Sequence, residues 1–282
     1  MPSIADSDAV YDISRILPQH QAALTLLNVH LQNPAVHKCQ WLDLACGKGQ
    51  IIAQLGDNLT GANRAKLFYT GYDINIDHTR TAERIADNLM LANHRFFHGD
   101  LDDFTKVIPD TERFDFITCT NTAHELKPGS FARILVDAIV KLNDNGQFFL
   151  YDMESLTTPE LGALPWRAAD IGLLVNEMFM CLGVEFRVQP STWAHKTCKG
   201  WTITVQRQFI GKSDKDLASA LPDISARLEK VIDKVLDARM QECNKLLESY
   251  CRFGSATAED ATSRLLALYE FWAIHRAKGV RK

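Results

Sequence analysis

From residue 40 to residue 153, short apolar runs alternate with segments of helical period, and no other feature of this chain restricts its fold as strongly. The runs are QWLDLAC, KLFYTGYDI, NHRFFHGD, FDFITCT and GQFFLYDM. Between them lie IIAQLGDNL, RTAERIADNLMLA and FARILVDAIVKL, each with apolar residues at i, i+3 and i+4, a spacing that lays one stripe of a helix on a sheet. Repeated strand–helix units of this kind build a parallel sheet covered by helices on both faces. A helix is expected before the sheet, over residues 10 to 32, with Pro18 in its first turn and Ala22, Leu24, Leu26, Leu27 and Leu31 on its apolar side. After residue 153 the reading gives a helix at PWRAADIGLLVNEMFMCLG and strands at VEFRVQ and WTITVQRQF. The last alternates apolar and polar residues, as an antiparallel strand with one wet face does.

At Gly211 the composition shifts towards helix formers. Ile232, Leu236, Met240, Cys243, Leu247 and Tyr250 form one stripe; Ala261, Leu265, Leu268, Trp272 and His275 form a second. Two helices packed as a hairpin are expected, with the turn near Phe253-Gly254-Ser255. The chain shows no internal repeat.

With 282 residues, 46% of them hydrophobic and 23% charged, the chain can bury a large core without staples. Its net charge of −4 gives no electrostatic footprint for sequence-independent nucleic-acid binding. No window approaches the roughly 20 apolar residues of a membrane span, and MPSIADSDAVYDIS lacks the pattern of a secretion signal, so a cytoplasmic protein is expected. Seven scattered cysteines read as reduced thiols. His195 and Cys198 have no second closely spaced pair to complete a tetrahedral metal site, and no metal is expected.

The stretch WLDLACGKGQ, residues 41 to 50, runs a strand into a glycine turn and then a helix. Gly47 and Gly49 let backbone approach a ligand closely beside helix N-terminal amides. The spacing is neither GxGxxG nor GxxxxGK[ST], so a nucleotide-like ligand without a pyrophosphate fits better. Asp73 ends the second strand, where an acid can accept from both ribose hydroxyls, and Asp100 ends the third. Three acidic strand ends in register are hard to explain as helix caps alone.

These residues resemble the class I, Rossmann-like S-adenosylmethionine-dependent methyltransferases, of the small-molecule type. Motif I of that family is an acidic residue followed by GxGxG; Ala45 stands here where its first glycine would be. The resemblance implies S-adenosyl-L-methionine as cofactor. It implies that Asp43, Ala45, Gly47 and Gly49 surround the cofactor's amino-acid end, Asp73 and Ile74 its ribose side, Asp100 and Leu101 its adenine, and Asn121 and Thr122 its methionine part. It also implies a doubly wound α/β fold with a seven-stranded, mostly parallel sheet in the order 3-2-1-4-5-7-6. Three segments follow: residues 1–38 as a helical lid, in which Tyr11 closes over the cofactor and Arg15 accompanies it, residues 39–211 as the cofactor-binding domain, and residues 212–282 as the helical hairpin.

The fourth strand end reads TCTNTAHELKPGS, which looks like the His-Asp step of plant-type small-molecule O-methyltransferases with Glu125 in place of the aspartate. Two roles stay open for His124: the base that deprotonates an acceptor, with Glu125 biasing its charge, or a packed, helix-capping residue. His98 reads as a strand residue and His195 as a loop residue that could face substrate. In TTPELGALPWRAAD, Trp166 and Arg167 either line a substrate pocket or belong to a surface loop with one buried tryptophan. No [DNS]PP[YFW] and no Pro-Cys occurs, which disfavours DNA base methylation. The expected substrate is a small-molecule hydroxyl or amine. CGKGQ also resembles cap guanine-N7 methyltransferases, which keeps RNA as an alternative, and a catalytically silent scaffold acting through its C-terminal helices is another. Those helices are expected to pair with a second copy or another protein, or else to roof the pocket.

Overall fold

The structure, a computed structural model, describes residues 18–156, 162–194, 198–254 and 257–279. Tyr11, Arg15 and His195 lie outside the described residues. The elements in chain order are α1 (Pro18–Gln32), β1 (Cys39–Leu44), α2 (Gln50–Ala53), α3 (Leu55–Asn58), α4 (Gly61–Arg64), β2 (Leu67–Asp73), α5 (Ile76–Asn88), β3 (His94–His98), α6 (Phe104–Val107), β4 (Phe114–Thr120), α7 (Pro128–Val140), β5 (Leu142–Leu156), α8 (Ala168–Cys181), β6 (Ser191–Ala194), β7 (Cys198–Gln206), α9 (Asp214–Phe253) and α10 (Ala258–Gly279). The strands form one seven-stranded sheet in the order β3-β2-β1-β4-β5-β7-β6, as the sequence implied. The pairings from β3 through to β5 are all parallel. The order reverses beside β1, which pairs with β2 on one side and β4 on the other, and ligands of such sheets bind beyond the strand ends at that point.

By density of contacts the chain groups into two units. Unit 1 holds the chain up to Thr120 with Asp137–Tyr151 and Thr202–Gly211; unit 2 holds Asn121–Val136, Asp152–Trp201 and the chain from Lys212. In unit 1, Trp41, Tyr69, Phe114, Phe116, Phe148 and Phe149 are fully buried, and Trp41 meets Tyr69 edge to face at 4.9 Å between ring centres. Helix α5 starts where the Asn75 side chain accepts from the backbone N–H groups of Asp77 and His78, and it buries Thr79, Ala82, Ile85 and Ala86. In unit 2, Phe131 and Trp166 pack at 5.3 Å, and the Trp201 indole donates to the Trp166 carbonyl at 2.7 Å.

Three local expectations are corrected. IIAQLGDNL is two short helices rather than one, interrupted at Gln54, whose ψ of −7° leaves the helical range. VEFRVQ is not a strand; the Asn176 side chain accepts from the Val188 N–H and donates to its carbonyl, so a side chain takes the bonds that a ladder would have made. The sixth strand is Ser191–Ala194 instead. In α10 the apolar stripe faces outward: Leu265, Leu268 and Trp272 are exposed, while Ala267, Ala273 and Ile274 are buried. Alanines allow closer helix approach than leucines do, so the narrower face went inside.

Candidate functional site

At the end of β1 the chain passes through three left-handed residues, Ala45 at φ 55°, Gly47 at φ 54° and Gly49 at φ 83°. Ala45 occupies the place of the family's first glycine, and its positive φ shows why a glycine suits that place. A Cβ at Gly47 would meet nothing within 4 Å, so the turn is open there. One at Gly49 would come 3.0 Å from the Ala82 Cα and the Ile52 side chain; Gly49 serves the packing of α5 on the turn.

The carboxylates at these strand ends differ in availability. Asp43 is buried and accepts from the Tyr69 hydroxyl at 2.8 Å and the Thr118 hydroxyl at 2.6 Å. Burial raises its carboxyl to about 6 against the opposing pull of those two hydrogen bonds. Asp43 therefore holds the motif together from below. Asp73 accepts from the backbone N–H of Gly47 at 2.9 Å and of Asn75 at 2.8 Å, one on each oxygen, which ties the β2 end to the glycine turn. Oδ2 keeps a second lone pair for a ligand hydroxyl, while Oδ1 also has the His78 Nδ1 at 3.5 Å. Asp100, exposed, caps the turn after β3 by accepting from the Asp102 N–H at 2.9 Å. Ile74 is 65% exposed beside Asp73, and Leu101 is buried beside Asp100. The glycine turn is open, Asp73 and Asp100 keep acceptor capacity beside it, and Ile74 is exposed next to Asp73.

Unit 2 begins at Asn121, again left-handed at φ 55°, followed by buried Thr122 and His124. The His124 Nδ1 lies 2.6 Å from Oδ1 of Asp152, and the His124 backbone N–H donates to the other oxygen at 2.9 Å. Asp152 is completely buried, and Oδ1 also accepts the Met153 N–H. A carboxylate can only accept, so Nδ1 carries a proton. Glu125, the acid named from sequence, has Oε1 3.8 Å from Nε2 and a side chain 66% exposed. Asp152 is the closer partner, and sequence reasoning missed it. The signal was present, since Asp152 closes the apolar run GQFFLYDM much as Asp73 and Asp100 close theirs.

The backbone around His124 is tied to the segment before α8. The Leu164 N–H donates to the His124 carbonyl at 2.7 Å, and the Trp166 indole donates to the Ala123 carbonyl at 3.2 Å. Trp166 is thus a buried tryptophan, whereas Arg167 lines a cavity of about 300 Å³ within unit 2. Glu154, Ser155, Lys199, Arg239, Tyr269 and Glu270 are also in its wall. Arg239 is buried, with hydrogen bonds to Glu270 at 2.8 Å and Asp170 at 3.2 Å; Arg167 reaches Glu242 at 2.6 Å and Glu270 at 3.1 Å. No local pattern in the sequence marks this network, because its members lie up to about a hundred residues apart.

Residues 36–159 match the family model described as a methyltransferase domain. A search of the curated proteins finds no match. Among solved structures the chain is similar to the CurJ carbon methyltransferase, at 12% identity over 72% of this chain and 58% of that one, with a TM-score of 0.53. It is also similar to a magnesium protoporphyrin IX methyltransferase from Synechocystis PCC 6803 with bound SAM, at 14% identity over 67% and 79% of the two chains, TM-score 0.47. A SAM-dependent methyltransferase from Aquifex aeolicus matches at 18% identity over 71% and 98%, TM-score 0.47. Residues 36–159 thus match a methyltransferase domain, and the sheet has the strand order of the Rossmann-like methyltransferase fold.

Proposed function

We propose that the protein transfers the methyl group of S-adenosylmethionine to a hydroxyl or amine of a small molecule, with His124 as the base. The observation that carries the small-molecule reading is the cavity of unit 2, whose volume of about 300 Å³ sits at the lower end of ligand pockets. Its wall sets Arg167, Arg239 and Lys199 against Glu154 and Glu270. Both arginines are already paired with Glu270, so only one net positive charge remains in the wall, which suits a compact polar ligand better than a phosphate backbone with its many charges. Gly47, Asp73, Ile74, Asp100 and Leu101 are the residues assigned to the cofactor, with Asn121 and Thr122 at its methionine part; Tyr11 keeps its assignment as a lid residue.

The chemistry asked of the chain is modest. A methyl group on a sulfonium is already activated, so the residues must align an acceptor, exclude water and remove one proton. His124 Nε2 takes that proton, and Asp152 steadies the ring as positive charge develops on it. A cytoplasmic location belongs to the same reading: among the described residues no helix is long and apolar enough to cross a membrane, and six cysteines are unpaired. The C-terminal helices are assigned to association with a second copy or another protein.

The test is a methyl-transfer screen over small hydroxyl and amine acceptors, repeated with His124→Ala. Turnover should fall ~10²–10⁴-fold while affinity for S-adenosylhomocysteine stays within about twofold, and the wild-type rate should rise with pH as the histidine loses its proton. Full activity in His124→Ala would reduce the residue to a packing role.

A further inference from the structure

Four of the large apolar side chains left exposed lie on the two C-terminal helices: Leu246 on α9 at 41%, and Leu265, Leu268 and Trp272 on α10 at 56%, 46% and 42%. With Ala261 and His275, also exposed, the α10 residues recur at intervals of four, three, four and three, so they lie along one face of a 22-residue helix. Such a face is expensive to leave in water and marks a contact site. No charged residue stands within the stripe; Arg264 and Arg276 border it, and the Arg276 guanidinium sits 5.7 Å over the Trp272 ring.

Two properties of the stripe say what covers it. Its spacing is symmetrical about Leu268 to within one residue: Leu265 stands three before it and Trp272 four after, Ala261 seven before and His275 seven after. A two-fold axis beside Leu268 therefore sets each Leu265 across from a Trp272 and each small Ala261 across from a His275. The ends carry opposite charge, with Glu259 and Asp260 in the first turn and Arg276 in the last, where Lys278 pairs with Asp237 of α9. An antiparallel pair lays the acidic turn of one copy along the basic turn of the other and opposes the helix dipoles. A parallel pair would set acid on acid and base on base.

We propose that this face of α10 docks on the same face of a second copy of the chain, as an antiparallel two-fold pair centred on Leu268. The inference rests on the assignment of the C-terminal helices to association and is independent of the chemistry proposed for the site. It makes the interface isologous and closed, so association stops at the dimer.

Sedimentation of the full chain, wild type and Leu268→Glu, is the first test. The substitution brings two like charges together at the axis and should shift the dimer dissociation constant at least about tenfold towards monomer, with an unchanged circular dichroism spectrum. Orientation is read by cross-linking in a background where the exposed Cys181 and Cys251 are serine. On oxidation Leu268→Cys should form a covalent dimer. Ala261→Cys should not, since the two copies of residue 261 would stand roughly 21 Å apart along an antiparallel pair at 1.5 Å per residue. Cross-linking of both variants would mean a parallel pair and overturn the proposal. A dimer insensitive to Leu268→Glu would overturn this face while leaving association standing, and a wild-type chain that sediments as a monomer at every concentration would overturn both.

Discussion

The carboxylates at the strand ends of unit 1 are held mainly by neutral donors, whereas around the cavity of unit 2 three carboxylates share two cations, and only Glu154 of its wall accepts from a backbone N–H among the described residues. Asp43 rests on two hydroxyls, Asp73 on two backbone N–H groups with the His78 ring 3.5 Å away, and Asp100 on one backbone N–H. Asp170, Glu242 and Glu270 share the guanidiniums of Arg167 and Arg239. Neutral donors leave the carboxylate's charge in place, so it remains able to attract a ligand's hydroxyl or to respond to pH. Guanidiniums cancel that charge and make the members depend on one another. Asp152 belongs to unit 2 yet follows the first plan, with two backbone N–H groups and an imidazole.

The largest effect is expected where that exception is broken. In Asp152→Asn one side-chain atom becomes a donor. If it faces Nδ1, the ring must carry its proton on Nε2, the wrong nitrogen for a base. Turnover should drop ~10²–10⁴-fold, as for loss of the base itself, with cofactor affinity kept and the pH profile of the remaining rate flattened. An unaltered pH profile would show that Asp152 only packs. A smaller effect follows from opening the cation-held cluster. Arg239→Met strands Glu270 and Asp170 without their buried partner and should cost about 3–5 kcal/mol in denaturant unfolding. Arg239→Met combined with Glu270→Gln should cost less than the sum of the two singles; strict additivity would mean that the pairs act independently.

The pH response should separate the two plans again. Burial raises the Asp43 carboxyl to about 6, so the fold favours its protonated form. That contribution is complete below the unfolded value near 4 and disappears as the pH rises through 6. At 1.36 kcal/mol per unit it amounts to about 3 kcal/mol. His20, buried in α1, is lowered to about 4 by desolvation; its contribution is complete above the unfolded value near 6.5 and disappears as the pH falls through 4, again about 3 kcal/mol. The two slopes oppose and nearly cancel in the wild type. Asp43→Asn should expose the histidine's slope, giving a variant that loses about 3 kcal/mol more than wild type between pH 6.5 and 4. Parallel stability curves for the two proteins would contradict the burial of Asp43 as its cause.

The same contrast governs what could be read from the chain. Neutral donors are mostly near in sequence or fixed by the strand–turn–helix order, so the parallel core and the turns that carry Gly47, Asp73 and Asp100 were legible from residues 40 to 153, and the resemblance implied the sheet order. The hydroxyls on Asp43 were not, because Tyr69 and Thr118 reach it across neighbouring strands and only register brings them there. The ion pairs around Arg239 join segments 31 and 69 residues apart. Charged side chains in a helix read as a solvated face until packing is known. The stripe of α10 misled for a related reason: periodicity marks an apolar face, but which face goes inside is decided by how closely a helix can approach, and there the alanines prevailed.

The smallest expected effect tests whether a carboxylate held by neutral donors does serve a ligand. Asp73→Asn keeps an oxygen for one of the two backbone N–H groups of Gly47 and Asn75 but turns the other contact into donor against donor. Asp73→Ala removes both acceptors. Hydrogen bonds to a charged group are worth about 1.5–3 kcal/mol each, so losing even one ribose contact should weaken S-adenosylhomocysteine binding at least about tenfold in Asp73→Ala. Stability should also fall in both variants, because the Gly47 turn loses its tether, and affinity must therefore be measured by calorimetry well below each variant's own unfolding temperature. Asp100→Ala supplies the control: it too loses a backbone N–H contact, that of Asp102, but at an exposed turn, where a cap costs about 1 kcal/mol. If Asp73→Ala loses stability but binds S-adenosylhomocysteine as tightly as wild type, Asp73 is only the strut of the glycine turn. If affinity falls tenfold while Asp100→Ala changes it less, the carboxylate anchored on backbone amides is the one that reads the cofactor's ribose.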